Sequence, residues 1–306
     1  MEKRTSKTGR RREHEKRRSG VTSCALMMND AIAKVTEIAG QLEEKGEIYM
    51  TKKARKRFLS TAGPILLVVT FLEDGLRVFF RWSEQHHYMT KRMGFGSFMA
   101  GLILLLSAAA QIGGSALVLR PKHMKPSRIK PACYLLLGFV AVQPFLYGQA
   151  TDADFMCRSI TLAGGFLLLI WAENERKQTE DYMGLPQGER GPGADRLQLF
   201  GRLLLTSIFL FQAIHSEKGG LHSVLTAPGF FNILSSLLLL GLSAMVCVGF
   251  HTEWSALVLS IVLFCSSVWM YPFWAVHERL FDYYKYYFFQ TLSVIGGLML
   301  LTLHGP

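Results

Sequence analysis

The chain has 306 residues, of which 50% are hydrophobic and only 19% are charged. A soluble domain normally carries about 25% charged residues, so this composition argues against a soluble enzyme and favours an integral membrane protein. It also excludes a disordered protein and a small disulfide scaffold. The 5 cysteines are an odd number and form no C-x-x-C pair, so we expect neither a disulfide framework nor a zinc site.

Residues 1–57 form a strongly basic tail. They hold 16 Lys+Arg against 8 Asp+Glu, whereas the rest of the chain holds 18 against 15. A basic tail can bind nucleic acid, but this one precedes a series of apolar runs. We therefore expect a cytosolic anchor that contacts the lipid bilayer and no nucleic acid. Apolar residues recur every three or four positions from Met28 to Leu42, which predicts an amphipathic helix over 24–45.

Eight apolar runs follow the tail, and each predicts a membrane-spanning helix. A helix needs about 20 apolar residues to cross the hydrocarbon core, and runs two, three, six, seven and eight satisfy this alone. Runs one, four and five carry charged residues, whose side chains we expect to face protein instead of lipid. In order, the runs cover 61–82, 94–119, 131–149, 155–172, 197–215, 227–250, 254–276 and 284–304.

The distribution of Lys and Arg predicts how these spans are oriented. With eight spans and a cytosolic tail, the cytosolic segments hold 26 Lys+Arg and the segments on the opposite side hold seven. Because positive residues accumulate on the cytosolic side, we expect both termini in the cytosol. The sequence thus predicts an all-α integral membrane protein with about eight transmembrane helices.

Two parts of the sequence resemble each other. The Gly-Gly pair at 164–165 returns at 296–297, and Leu72 aligns with Leu210 at a similar offset. This repeat predicts two four-helix units related by an axis along the membrane normal, although close packing of small residues also explains the glycines. The predicted organisation is a tail over 1–57, a first four-helix unit over 58–172, a cytosolic linker over 173–196 and a second four-helix unit over 197–306.

The charged string EDGLR at 73–77 lies inside the first apolar run. Charges in hydrocarbon are costly unless they are paired, and Arg77 is within helical reach of both Glu73 and Asp74. One arginine cannot neutralise two carboxylates, so one acid needs a second cation. We weigh two hypotheses, a structural polar knot and a binding site for a positively charged group. Besides a ligand, the candidates for the second cation are Arg158, Arg202 and His215.

Aromatic residues are concentrated at the predicted non-cytosolic ends of the runs. Interfacial aromatic belts are common in membrane proteins, but the cytosolic ends carry far fewer of them. The asymmetry suggests an aromatic-lined mouth suited to apolar and proline side chains. The residues are Trp82, Tyr88, Trp269, Tyr271, Phe273, Trp274, Tyr283, Tyr284, Tyr286, Tyr287, Phe288 and Phe289.

The sequence offers no set of catalytic residues. Its histidines lack the spacing of metal ligands, and it contains no P-loop, no dinucleotide-binding fingerprint and no hydrolase motif. We therefore expect a protein that is not an enzyme and that holds no metal and no cofactor.

Four strings in the chain are long and specific. They are FLEDGLRVFFRWSEQ from Phe71, RSITLAGGFLLLIWAE at 158–173, LFGRLLL at 199–205 and PFWAVHERLFDYYKYYFFQTLSVIGGLMLL at 272–301. Together they resemble the surfeit-locus-four family of endoplasmic reticulum cargo receptors. The resemblance extends over about 60–304.

The resemblance implies a multi-pass receptor that cycles between the endoplasmic reticulum and the Golgi. It would bind soluble secretory proteins on the lumenal side, engage vesicle coat proteins from the cytosol and load its cargo into vesicles. Family members are understood to recognise a short hydrophobic–proline–hydrophobic segment at the new amino terminus of the cargo. A free amine favours a carboxylate such as Glu73 or Asp74, and apolar side chains favour aromatic rings. The cargo-binding residues that we expect are Glu73, Asp74, Arg77, Trp82, Arg158, Tyr271, Trp274 and Gln290.

Two questions stay open at the level of sequence. The alternative function is a small-molecule or lipid transporter of the endoplasmic reticulum membrane, which the repeat and the buried charges favour. Formation of a homo-oligomer is also left open.

Three departures from the family indicate a divergent member. The chain ends at Leu303-His304-Gly305-Pro306 without the dilysine signal common in the family, so we do not expect retrieval by that route. The family tends to carry an acid in its K-Y-D-F-F-Q string, where this chain has Tyr287. The basic tail is also longer than the family leads us to expect.

Overall fold

A computed structural model of the protein describes residues 52–119, 129–181, 192–214, 230–275 and 277–304, together with Lys34 and Glu37, which are helical. Helices make up most of this part of the chain and none of it is strand, which confirms the all-α prediction. The rest of the helix predicted over 24–45 lies outside the described residues. The helices are α1 (Lys52–Phe80), α2 (Trp82–Lys91), α3 (Ser97–Val118), α4 (Ile129–Leu146), α5 (Ala153–Asp181), α6 (Pro192–Ile214), α7 (Phe230–Val248), α8 (Thr252–Met270), a short 3-10 turn (Phe273–Ala275) and α9 (Glu278–His304).

All eight apolar runs fall on helices. Five helical segments are long and apolar enough to cross a membrane, judged by length and composition, and run four is among them in spite of Arg158. The total of eight spans stays a prediction. Two helices also enter the predicted linker, since α5 continues to Asp181 and α6 begins at Pro192. The five segments are Ser97–Val118, Ile129–Leu146, Ala153–Lys177, Thr252–Ala275 and Leu280–Leu303.

One end of the bundle gathers the chain segments that surround the charged string. The short helix α2 follows α1 after a break at Arg81 and is largely exposed. The hydroxyl group of its Tyr88 donates to the carbonyl oxygen of Tyr147, which follows α4, at 3.4 Å. The ring nitrogen Nε2 of His86 lies 3.0 Å from the carbonyl oxygen of Ser97, the first residue of α3. The last turns of α1 and α4 therefore lie beside the first turn of α3, and we call this the aromatic end.

Close contacts at glycine bring four helices together. A methyl group built on Gly296 of α9 would lie 2.4 Å from the backbone nitrogen of Leu67 in α1. A methyl group built on Gly164 of α5 would lie 2.4 Å from the backbone nitrogen of Leu205 in α6. These distances are below any real carbon contact, so both crossings require glycine.

The two crossings follow the repeat seen in the sequence. Gly164 and Gly296 hold the same place in the two Gly-Gly pairs, and Leu67 aligns with Leu205 at the same offset as Leu72 with Leu210. The neighbouring glycines meet each other, because a methyl group on Gly297 would lie 3.3 Å from the Cα atom of Gly165. Small residues thus let the backbones of α5 and α9 touch, as the packing interpretation of the Gly-Gly pairs required.

The apolar core next to these crossings joins α1, α4 and α5. The ring of Phe71 in α1 makes edge contacts with Phe166 of α5, at 5.4 Å between ring centroids, and with Phe139 of α4, at 6.5 Å. Phe71 and Phe166 are almost completely buried. This core lies within one turn of Glu73 and fixes the face of α1 on which the charged string lies.

Candidate functional site

The two acids of the charged string have different partners. Arg77 donates from Nη2 to the carboxylate of Asp74, one helical turn earlier, and its guanidinium lies 5.6 Å from the ring centroid of Tyr286 in α9. Glu73, the other acid within reach of Arg77, turns to α9 instead. Of the two pairings open at the level of sequence, the structure selects Asp74 with Arg77.

A second partner completes the environment of Asp74. The side-chain amide of Gln111 in α3 donates to the Oδ2 atom of Asp74 at 2.9 Å, and both residues are buried. Gly75 makes this approach possible, because a methyl group at this position would lie 2.7 Å from the side chain of Ile112. The glycine thus leaves room for the side chains of α3. Each carboxylate oxygen of Asp74 is therefore already hydrogen-bonded.

Glu73 pairs with a cation that the sequence did not single out. The ammonium nitrogen of Lys285 in α9 lies 3.1 Å from the Oε1 atom of Glu73. The side chain of Glu73 is only 6% exposed, whereas that of Lys285 is 30% exposed. In the described part of the chain, no group other than Lys285 is placed to donate to either carboxylate oxygen of Glu73. A carboxylate can accept about four hydrogen bonds, so Glu73 retains capacity for a further donor.

The expected partners of the second acid are thereby corrected. Arg158 pairs with Asp154, one turn earlier in α5, with 3.0 Å between the Nε atom of the arginine and the Oδ2 atom of the aspartate. Arg202 is buried in α6, and no hydrogen bond reaches its Nε and Nη2 atoms in the described part of the chain. His215 lies outside the described residues. Lys285 takes the role that we had considered for Arg158 and Arg202, while His215 and a ligand cation stay predictions. Glu73, Asp74, Arg77, Gln111 and Lys285 together form what we call the charged cluster.

Arg158 organises the aromatic residues beside the charged cluster. Its Nη2 atom donates to the hydroxyl oxygen of Tyr271 at 3.1 Å, and its guanidinium lies 4.8 Å from the ring centroid of Tyr287. The rings of Tyr271 and Tyr287 stack at 5.6 Å. Because a buried guanidinium needs hydrogen bonds or ring faces around it, these tyrosines and Asp154 stabilise its charge. We call the following residues the tyrosine cluster: Arg158, Tyr271, Tyr283, Tyr284, Tyr286 and Tyr287.

Tyr286 connects the two clusters. Its ring lies beneath the guanidinium of Arg77 and stacks at 6.2 Å on Phe155, the third residue of α5. Its edge also contacts the ring of Tyr287 at 5.8 Å. Of the three aromatic residues predicted to bind cargo, Tyr271 is therefore joined to the charged cluster, through the rings of Tyr287 and Tyr286.

The two predicted tryptophans lie apart from this connected set. Trp82, at the start of α2, directs its ring towards Gly101 of α3. Trp274 is 58% exposed, and its ring contacts are with Phe273 and Phe288. Within the described residues, no ring contact or hydrogen bond joins either tryptophan to the charged cluster.

Gln290, the last of the predicted residues, is buried in α9 without hydrogen bonds. Its side chain is 1% exposed, and neither its amide nitrogen nor its amide oxygen has a partner in the described ranges. The same holds for the Oε1 atom of Gln111 and the hydroxyl group of Tyr147. Buried polar groups are normally satisfied, and each exception calls for an explanation. Together with Glu73, these atoms are buried donors and acceptors that have no hydrogen-bond partner in the described ranges.

Sequence reasoning missed Lys285 and Gln111. Lys285 was visible as a lone cation near the start of run eight, between Tyr284 and Tyr286. Its partner was hidden because α1 is the first and α9 the last of the described helices in chain order. Gln111 gave no signal, since one amide in an apolar run is common. No group of three His, Cys, Asp or Glu residues in the described ranges is placed to hold a metal ion.

Comparison with known proteins identifies the family. The sequence profile of the SURF4 family matches residues 36–306. A Surfeit locus protein 4 homolog of Drosophila melanogaster is 33% identical over 281 residues, which cover 91% of this chain and 94% of the fly protein. The homolog of Schizosaccharomyces pombe is 31% identical over 275 residues, covering 89% of this chain and 85% of its own.

A more distant relative carries a descriptive name. The ER-derived vesicles protein ERV29 of Saccharomyces cerevisiae is 27% identical over 250 residues, covering 81% of this chain and 74% of the yeast protein. No solved structure matches the chain. The family predicted from the sequence strings is thus confirmed by a profile that covers most of the chain, and the protein belongs to the SURF4 family.

Proposed function

We propose that the protein is an endoplasmic reticulum cargo receptor that binds the amino-terminal segments of soluble secretory proteins and loads them into vesicles. In this proposal the chain crosses the membrane eight times as two four-helix units, with both termini in the cytosol. The aromatic end then faces the lumen, where cargo is found, and the basic tail faces the coat proteins. The names of the relatives support this location, since one of them is described as a protein of ER-derived vesicles.

The observation that carries the proposal is Glu73. It is a buried carboxylate with unused hydrogen-bonding capacity, and its cationic partner, Lys285, is partly exposed. Counting seven residues from Glu73 to the end of α1 at Phe80, the carboxylate lies about 10 Å below the helix end, because an α-helix rises about 1.5 Å per residue. A peptide of about three extended residues, at roughly 3.3 Å each, covers that depth.

Glu73 is better suited than Asp74 to receive the amine of cargo. Asp74 already accepts from Arg77 and Gln111, so a new cation would have to break an existing interaction. An α-ammonium group has three donors, and among the described residues no group besides Lys285 pairs with the Glu73 carboxylate. In a site shielded from water, such a charged hydrogen bond contributes about 1.5–3 kcal/mol.

The tyrosine cluster supplies the surface for the side chains that follow the amine. Tyrosine rings offer flat apolar faces, which suit proline and branched aliphatic residues. Tyr283 is the exposed member, and its ring contacts that of the buried Tyr287 at 4.6 Å between centroids. A segment of apolar, proline and apolar residues would pack on these rings while its amine reaches Glu73.

The substitution at Tyr287 is expected to alter cargo preference. Where family members tend to carry an acid, this chain places a ring 4.8 Å from the guanidinium of Arg158 and stacked on Tyr271. An acid there would pair with Arg158, whereas the tyrosine leaves Asp154 as the pairing carboxylate in the described ranges. We propose that this receptor selects more apolar segments than relatives with the acid.

Site-directed photocrosslinking in microsomes tests the receptor proposal. A photoreactive residue at Trp82, just beyond the end of α1, should crosslink to soluble secretory proteins. The matched control is Phe58, which is exposed near the opposite end of the same helix. Crosslinks to secretory proteins from position 82 alone would support the receptor. Crosslinks to lipid alone, or equal labelling of secretory proteins from both positions, would contradict it.

A transporter is the second candidate function. The glycine crossings at Gly164 and Gly296 are related by the sequence repeat, and many transporters are built from internal repeats. A transporter should move a small solute across liposomes that contain the purified protein and should retain no secretory protein in a pull-down. A receptor should give the opposite pair of results.

A further inference from the structure

Helices α1 and α9 are joined at three levels. Gly63 and Gly296 bring their backbones together near the middle of the bundle, because a methyl group on Gly296 would lie 2.7 Å from the carbonyl oxygen of Gly63. Nearer the aromatic end, Lys285 pairs with Glu73. At the end itself, Arg81 pairs with Asp282, one turn before Lys285. The helix pair is therefore held by several contacts besides the one at Glu73.

The chemistry of the Glu73 pair differs from that of a fixed structural bond. Lys285 presents a primary ammonium group, the same group that begins every unmodified peptide chain. Its side chain is 30% exposed. The ammonium group lies at the end of a flexible chain of four carbons, so it can leave Glu73 without backbone movement. The Nζ atom of Lys285 lies 3.1 Å from the Oε1 atom of Glu73, and no other group in the described ranges donates to this carboxylate. An ammonium group that enters the site can therefore replace Lys285 without breaking a second bond to Glu73.

We propose that Lys285 is an internal competitor that occupies Glu73 until the terminal ammonium of a cargo segment displaces it. The inference rests on the proposed function, since it concerns the same site. In the free receptor the Glu73 carboxylate faces Lys285, and in the bound receptor it faces the cargo amine. Glu73 has a cation in both states, so neither binding nor release leaves the buried charge uncompensated, which would be strongly unfavourable.

The exchange gives the receptor a binding site that also releases its cargo. If Lys285 occupies Glu73 in about nine of ten free receptors, the apparent dissociation constant is about tenfold higher than that of the open site.

The carboxylate of Asp74 takes no part in the exchange, because Arg77 and Gln111 hold it. In the alignment that places Leu72 opposite Leu210, the position equivalent to Glu73 is Phe211, which carries no charge. The proposal therefore predicts one amine site per chain.

Binding of two peptides to the full-length protein in lipid nanodiscs tests the proposal. Both peptides begin with an apolar–proline–apolar sequence and carry a fluorophore at the carboxyl end, and they differ only in a free or an acetylated amino terminus. Lys285→Met removes the competitor and keeps the length of the side chain. We expect it to bind the free-amine peptide about tenfold more tightly, or about 1.4 kcal/mol, with little change for the acetylated peptide.

The matched control is Asp282→Asn, which breaks the ion pair between α9 and Arg81, the residue that follows α1, and leaves Glu73 untouched. If loosening the helix pair raised the affinity, this variant would show the same gain as Lys285→Met, and the proposal would be overturned. An unchanged or weaker affinity of Lys285→Met for the free-amine peptide would overturn it as well.

Two further measurements guard against a folding defect. The double variant Glu73→Gln/Lys285→Met leaves no unpaired charge, so it should fold and should bind both peptides equally. Lys285→Met alone leaves Glu73 buried without its cation, so the unliganded variant should unfold at a lower temperature. The free-amine peptide should raise that temperature more than it does in the unaltered protein, and an equal rise in both proteins would contradict the proposal.

The outcomes also separate this inference from the proposed function. If the unaltered protein and the double variant bind both peptides alike, the receptor binds cargo without using Glu73. The competitor role of Lys285 then fails while the receptor proposal survives. If no form of the protein binds either peptide, the receptor proposal fails together with the inference.

Discussion

The crossing of α1 and α9 at Gly296 gives the sharpest structural prediction. A methyl group at this position would lie 2.4 Å from the nitrogen of Leu67, 2.7 Å from the carbonyl oxygen of Gly63 and 2.8 Å from the carbonyl carbon of Leu66. All three are backbone atoms, which cannot rotate away. Ordinary contacts begin at 3.4 Å. In the Gly296→Ala variant the helices must therefore move apart by about 1 Å to relieve the contact with the nitrogen of Leu67.

The cost of that displacement can be estimated. Overpacking of a close-packed interior costs about 1–3 kcal/mol, and we expect a value near the upper limit because the opposing atoms are backbone. For a chain of this size, 1 kcal/mol corresponds to about 2–4 °C in the midpoint of thermal unfolding, so the Gly296→Ala variant should lose roughly 5–10 °C. Gly164→Ala should lose a similar amount, since its methyl group would meet the nitrogen of Leu205 at 2.4 Å.

A glycine in open space provides the control. Gly138 of α4 has no atom within 4 Å of an added methyl group. Its replacement by alanine should stabilise the helix by about 0.5–1 kcal/mol, because alanine loses less backbone entropy on folding. The assay is thermal unfolding of the purified variants in one detergent, followed by intrinsic fluorescence. Equal midpoints for Gly296→Ala and Gly138→Ala would refute the assigned crossing.

Three other side-chain substitutions have defined outcomes. Asp74→Asn should lower the free energy of unfolding by about 3–5 kcal/mol, because it leaves the Arg77 guanidinium buried without its acid. Adding Arg77→Met to this variant should recover part of the loss in the same unfolding assay. Tyr271→Phe should cost about 1.5–3 kcal/mol by removing the hydroxyl acceptor of Arg158, and an unchanged unfolding midpoint would contradict that bond. Asp282→Asn should cost no more than about 1 kcal/mol, because the pair with Arg81 is largely exposed. Its effect should shrink further in 1 M salt, where the Debye length is about 3 Å, and a large loss independent of salt would show that Asp282 has another role.

Much of the fold was visible in the sequence because a membrane constrains it strongly. The apolar runs located every helix from α1 to α9 except the short α2, since a spanning helix requires a long apolar stretch. Helix ends were harder to predict. The helix α5 extends to Asp181, beyond the apolar run that ends at 172, because a charged helical extension carries no hydropathy signal.

The repeat pointed to the glycines but not to their partners. The matching Gly-Gly strings singled out 164–165 and 296–297 as related pairs. Their actual neighbours, Leu67 and Leu205, depend on which helices lie side by side. Local sequence does not specify such long-range packing. Whether two four-helix units exist as separate bodies stays a prediction.

The sequence predicted many of the residues of the candidate site but only some of the pairs that they form. Arg77 lies within one turn of two acids, so helix geometry alone allowed both Glu73 and Asp74 as its partner. The choice is made by Gln111 of α3 and Lys285 of α9, which reach the two acids from separate parts of the chain. Arg158 and Tyr271 were both singled out from the sequence, yet their hydrogen bond follows from packing of α5 beside the end of α8.

Recognition of a free amino terminus at Glu73 is tested most directly by one affinity ratio. The ratio compares the dissociation constants of the acetylated and the free-amine peptide, measured on the unaltered protein in nanodiscs. A charged hydrogen bond of about 1.5–3 kcal/mol corresponds to a preference of about 10-fold or more for the free amine, at about 1.4 kcal/mol per factor of ten. A ratio of one in the unaltered protein would contradict the assignment of Glu73 as the residue that receives the cargo amine.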